Sequence, residues 1–213
     1  MSDYEVRHLN DIEEISDGRC PWRPVRYELG ITSFGVNAFT ARNAGDRLIN
    51  EHDEEGEDEE LYMVVSGRAR FQLGDDTVDA PSGTFVFARP GLTRTAFAEE
   101  PGTTLLAIGG RPGEVYEPQG FELWAPLVPL YQEGRYAEAA DRAGPIADAH
   151  PEFPGIAYNA ACIESLAGRP EQAIAHLRQA VEGSERFREF ARGDSDLDAI
   201  RDDPRFTELV GGA

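Results

Sequence analysis

The sequence predicts a two-part α+β chain, an all-β sandwich or barrel followed by an all-α array of helical hairpins. Three observations carry this. From Ile31 to Ala98 short apolar stretches alternate with polar positions and are punctuated by turn signals every eight to twelve residues. After Gly110 the alternation gives way to Ala- and Leu-rich helical spacing. Within that second part, Gly134-Arg135-Tyr136-Ala137-Glu138-Ala139 recurs as Gly168-Arg169-Pro170-Glu171-Gln172-Ala173, 34 residues further on.

Taken in order, Val6 to Ile15 reads as a strand followed by a short turn of helix, and Arg19 to Pro24 as a loop, because two prolines exclude a regular ladder there. Trp22 in that loop is expected to pack on the barrel edge. Ile31 to Ala41 reads as a strand with Phe34, Val36 and Ala38 on one face, and Arg47 to Glu51 opens the next. Residues 51–60 hold eight acids in ten and read as a solvated loop. Leu61 to Val65 is an apolar run, as in a strand covered on both faces. Arg68 to Leu73 alternates, with Ala69, Phe71 and Leu73 inward. Gly74-Asp75-Asp76, Pro81-Ser82-Gly83 and Arg89-Pro90-Gly91 are turns, and Phe85 and Phe87 share a face between the last two.

The expected boundaries are 1–113 for the β domain, 114–120 for a linker and 121–213 for the helices. The 34-residue glycine sits where two antiparallel helices turn, the repeated alanine lets them approach, and Pro170 suits a first helical turn. Helices are expected over 157–167 and 170–182. Gly144-Pro145 predicts a kink or break. A capping helix is expected after Asp194, ended before Pro204. Cys162 reads as a small buried hydrophobe. His150 and His176 read as structural, the second on an exposed face.

Composition bounds the function. There are 40 acidic and 20 basic residues, a formal charge of −20, which argues against nucleic acid and anionic membranes as partners. No apolar run approaches a membrane span, the N-terminus is too polar for a signal peptide, and two cysteines in different domains make no disulfide framework, so the cytoplasm is the expected compartment. No nucleophile elbow, P-loop, dinucleotide fingerprint or paired Cys motif is present.

Residues 30–110 resemble the cupin family. Glu60, six residues, then Gly67 matches the end of its first motif. Gly83, five residues, then Arg89-Pro90-Gly91 matches the second, with Arg89 where the family has proline. The resemblance implies a jelly roll (double-stranded β-helix). The helical part resembles tetratricopeptide repeats with an end cap. A cupin metal site takes three histidines and a glutamate. Here His52 aligns with the first histidine, Glu54 with the second and Glu60 with the glutamate, but Arg94 stands where the last histidine belongs. A guanidinium has no lone pair for a metal and repels a cation. If Arg94 points inward, its expected neighbour is Glu60.

Two functions follow. The first is a non-enzymatic small-molecule-binding or protein-interaction module without a cofactor. Its pocket of Glu60, Tyr62, Phe85 and Arg94 would take a small polar or anionic ligand, and its repeats a protein or peptide. The alternative is a cupin enzyme of dioxygenase or isomerase type with a divalent metal on His52, Glu54 and Glu60. The resemblance also admits a homodimer.

Overall fold

The computed structural model describes residues 4–16, 20–53 and 58–211. It divides into two compact units, Met1–Pro118 and Gln119–Ala213.

Among its described residues the first unit holds a short helix α1 (Val25–Leu29) and nine strands, β1 (Trp22–Arg23), β2 (Gly35–Thr40), β3 (Arg47–His52), β4 (Glu59–Ser66), β5 (Arg68–Leu73), β6 (Asp76–Pro81), β7 (Phe85–Ala88), β8 (Arg94–Ala98) and β9 (Thr104–Gly110). One sheet runs β1-β2-β9-β4-β7 and the other β3-β8-β5-β6. Every pairing is antiparallel. Apart from β1, this is the eight-strand arrangement of two interleaved Greek keys, a jelly roll. The two sheets bury Tyr62, Val64, Phe71, Val86, Ala96 and Leu105 between them.

The turns are chemically specific. At Gly67, between β4 and β5, φ is +74°, and a Cβ there would lie 2.5 Å from Thr103 Oγ1. Only glycine meets both demands. Trp22, 1 % exposed, lies in β1, which adds to β2 through Trp22 opposite Phe39. The loop expected at 19–24 thus contains a two-residue edge strand, and Pro21 and Pro24 flank it outside the ladder.

The second unit contains α2 (Gly120–Trp124), α3 (Val128–Gln132), α4 (Tyr136–Ala149), α5 (Pro154–Leu166), α6 (Pro170–Gly183), α7 (Arg186–Gly193) and α8 (Pro204–Val210), with 3-10 turns at Ala125–Leu127 and Ser195–Ile200. Its core is rich in alanine: Ala139, Ala143, Ala160, Ala161, Ala173 and Ala180 are fully buried with Leu127, Ile163, Leu177 and Leu197. Gly134 and Gly168 both have φ of +71°. The Gly134 N–H donates to Tyr131 O and the Arg135 N–H to Leu130 O. The Gly168 N–H donates to Ser165 O and the Arg169 N–H to Glu164 O. The same turn is therefore built twice, 34 residues apart.

Three helical expectations are corrected. Gly144-Pro145 does not break α4, which is helical from Tyr136 to Ala149. Gly144 lies so close to α5 and α6 that a Cβ would sit 3.1 Å from Glu164 Oε1 and 3.4 Å from His176 Cε1, so tertiary packing holds the helix through the missing proline N–H. The segment after Asp194 is a 3-10 turn. The last α-helix starts at Pro204, with the Asp203 side chain accepting from the Arg205 N–H as its N-cap. His176 is buried, with Nδ1 2.7 Å from Glu164 Oε2. The apolar stripe of α6 alone did not reveal this, because the partner carboxylate comes from α5.

Among the described residues no helix is long and apolar enough to cross a membrane.

Candidate functional site

Strand registers decide which side chains meet inside the β sandwich. Glu60 lies on β4 beside Gly109 of β9 and Ala88 of β7, and Gly109 lies beside Gly35 of β2. Two residues on, Tyr62 lies beside Ala107 and Val86, and Ala107 beside Asn37. From the other sheet, Arg94 opposes Leu73 of β5 and His52 of β3. One end of the interior thus holds Glu60, Tyr62, Arg94, His52 and Asn37. Only glycine and alanine flank Glu60 in its row, and the glycine positions are closely approached: a Cβ at Gly109 would lie 3.3 Å from Glu60 Cγ and one at Gly35 2.5 Å from the Tyr116 hydroxyl oxygen.

The charges converge on one atom. Glu60 Oε2 accepts from Arg94 Nε at 3.0 Å, from Arg94 Nη2, from the Tyr62 hydroxyl, and stands 3.1 Å from His52 Nε2. Arg94 also donates from Nε to the Tyr62 hydroxyl oxygen at 3.3 Å and from Nη1 to Leu92 O at 3.2 Å. Arg94 and Tyr62 are each 1 % exposed. His52 Nδ1 lies 2.7 Å from Asn50 O. Both ring nitrogens therefore face acceptors, and both donate only when the ring is an imidazolium.

The proton affinities follow. Burial alone would raise the Glu60 carboxyl, but the hydrogen bonds from His52, Tyr62 and Arg94 outweigh it and hold the pKa at about 2. The Glu60 hydrogen bond raises the His52 pKa against the opposing effect of burial. Burial, and then the Glu60 charge, push the Tyr62 phenol up, so Tyr62 stays a donor. The cluster thus brings the Arg94 guanidinium, the His52 ring and the Tyr62 hydroxyl onto one carboxylate.

Of the expected pocket residues, Glu60, Tyr62 and Arg94 meet and Phe85 does not. Phe85 pairs with Met63 on the opposite side of β4 and β7 and is 60 % exposed, because the pocket face of β7 belongs to Val86 and Ala88. Of the metal-ligand set, His52 and Glu60 converge, while Glu54 lies outside the described residues. Among the described residues, two of the three expected ligands therefore meet. The histidine and carboxylate atoms that would ligate are already in hydrogen-bond contact, and the fixed guanidinium occupies the same carboxylate oxygen. Asn37, Gly35 and Gly109 were not singled out from sequence. The strand alternation could place Asn37 inward, but only the register puts it level with Tyr62.

A second polar cluster lies in the helical unit. Cys162 Sγ and carboxylate oxygens of Asp194 and Asp196 lie within 4.8 Å of one another. Asp194 already accepts from the Tyr158 hydroxyl at 2.7 Å and the Asp196 N–H at 3.0 Å, and Asp196 accepts from the Tyr131 hydroxyl at 2.7 Å. Burial, then Asp194, push the thiol pKa up. The cluster caps a 3-10 turn and holds an unreactive thiol.

No protein-family profile and no curated protein matches the chain. Several solved structures resemble it. A cupin protein from Bacteroides fragilis is 15% identical, covering 56% of this chain and 93% of that one, with a TM-score of 0.43. An uncharacterized protein with a double-stranded β-helix domain from Klebsiella pneumoniae is 17% identical, covering 55% and 100%, with a TM-score of 0.43. A sugar phosphate isomerase from a cupin superfamily, from Silicibacter pomeroyi, is 18% identical, covering 50% and 76%, with a TM-score of 0.43. In its own strand order the chain is a jelly-roll β sandwich followed by a helical region.

Proposed function

We propose that the β sandwich is a metal-independent binding module for a small anionic molecule, and that it is not an enzyme. The observation that supports this is the buried Arg94 guanidinium, held against Glu60 and Tyr62 beside His52, in a chain of formal charge −20. A guanidinium with several donors holds a carboxylate or phosphate by charge-assisted hydrogen bonds. Asn37, on β2 in the same row as Tyr62, adds a polar side chain to that end of the interior. The helical region, read as tetratricopeptide-like because of its duplicated glycine turns, serves as a scaffold for a protein or peptide.

The test has two parts. Elemental analysis of tag-free protein, beside His52→Ala, is expected to find no stoichiometric Fe, Mn, Ni, Zn or Cu in either. Thermal-shift titration with small carboxylates and phosphates is expected to stabilise the wild type and leave Arg94→Met unmoved. Stoichiometric metal that disappears in His52→Ala would overturn the reading in favour of a metal-dependent enzyme.

A further inference from the structure

Helix α4 carries Pro145 in its interior, where the ring removes one backbone hydrogen bond and crowds the carbonyl one turn back. The segment from Pro145 to Ala149 is thus weakly joined to the rest of α4, and α6 with its N-cap holds both halves from outside. Before the proline, Arg169 donates to Ala137 O at 3.1 Å and to Asp141 Oδ1 at 2.7 Å. After it, Gln179 Nε2 donates to Ala147 O at 3.1 Å, and His176 Nε2 lies 3.4 Å from Asp148 Oδ1. The other ring nitrogen of His176, Nδ1, lies 2.7 Å from Glu164 Oε2. Both nitrogens therefore face carboxylates, one from α4 and one from α5, and only the imidazolium donates to both. A neutral ring keeps one N–H. Glu164 is 2 % exposed, whereas the Asp148 side chain is 76 % exposed. Water replaces a lost donor at Asp148 but not at Glu164, so the remaining N–H stays with Glu164 and the Nε2 lone pair faces the Asp148 carboxylate.

We propose that His176 is a proton-controlled clasp of the helical unit: protonated, it ties the part of α4 beyond Pro145 to α5 and α6, and on losing its proton it lets that part of α4 go. Among the described residues, Glu164 and Asp148 are its ion-pair partners. On α6 itself the residues one turn away, Gln172, Ala173, Gln179 and Ala180, are uncharged. Gly144, the α4 residue nearest the ring, has no side chain. The other histidine of this region, His150, stands at the C-cap of α4, with Nδ1 2.9 Å from Glu152 Oε1. The hydrogen bond with Glu164, above all, raises the His176 pKa from 6.5 against the opposing effect of burial. With the folded value raised, the clasp is whole at and below about pH 6.5 and is lost as pH rises through the folded pKa. The device is independent of the anion site and of any partner on the helices.

Amide hydrogen exchange of the full chain at about pH 6 and about pH 9, expressed as protection factors so that intrinsic base catalysis cancels, is the test. Protection of the Ile146 to Ala149 amides should fall at least about threefold at the higher pH, the scale of an exposed ion pair made and lost. Residues 139–142, held by Arg169 rather than by a histidine, should keep theirs. Asp148→Asn, at an exposed position that tolerates it, should abolish the difference, and His150→Gln should preserve it. The His176 ring, followed by NMR, should titrate above 6.5. Protection that is the same at both pH values overturns the proposal. So does a fall spread over all of α4, a difference that survives Asp148→Asn or vanishes in His150→Gln, or a His176 midpoint at or below 6.5.

Discussion

Replacing Arg94 with methionine removes the guanidinium from Glu60 while keeping a side chain of similar reach. Removing one partner of a buried ion pair costs about 3–5 kcal/mol, because the other charge stays buried without it. Glu60 retains two donors in this variant, Tyr62 and His52, so the lower end applies, about 3 kcal/mol. Glu60→Gln in the same background removes the stranded charge. The double variant should therefore lose less than the sum of the single losses, by about 1.5 kcal/mol or more. The two units need not unfold together, so the probe must report on the β sandwich alone. The chain has two tryptophans, Trp22 buried in β1 and Trp124 in α2. Urea unfolding followed by fluorescence in a Trp124→Phe background then reads the β unit through Trp22. A loss below about 1 kcal/mol for Arg94→Met, or additivity within about 0.5 kcal/mol, would refute a coupled buried pair.

Acid should act through the same carboxylate. The folded pKa of Glu60, about 2, lies below its ordinary 4.5, so its contribution is whole above about pH 5 and is lost as pH falls toward 2. The difference converts to about 3 kcal/mol. Urea midpoints of wild type and Glu60→Gln measured between about pH 6 and about pH 3 should converge, and parallel curves would contradict the assignment. At Gly67, with φ of +74° and a Cβ position 2.5 Å from Thr103 Oγ1 and 2.8 Å from its Cα, alanine should cost at least about 2 kcal/mol. Gly83 has φ of +89° but nothing within 4 Å of its Cβ position, so Gly83→Ala should cost only about 1 kcal/mol. Equal losses in thermal unfolding would show that backbone strain, not the approach of Thr103, sets the cost at Gly67.

Local chemistry made the β architecture legible, because turn residues and two-residue alternation act within a few positions. The Glu60–Arg94 pairing was legible for a different reason. Arginine inside a β sandwich has few ways to be satisfied, and the nearest inward carboxylate by motif alignment was Glu60. Position along one strand says nothing of which strand lies beside it, so Asn37 and Gly109 entered the site only through the β2-β9-β4 register. Phe85 was misplaced for the same reason. Its face could be read relative to Phe87, but not whether that face was the core or the outside. The apolar residues of β4 invited burial on both sides, and the fold buries one. His176 shows the limit in the helices. A histidine among polar neighbours on α6 looks solvated until Glu164 of α5 and the missing Cβ of Gly144 on α4 are brought against it. In both units a polar residue's role is set by an element distant in sequence. An inward Arg94 therefore identifies a charge-compensated interior, and the register of β2, β9 and β4 decides which side chains share it.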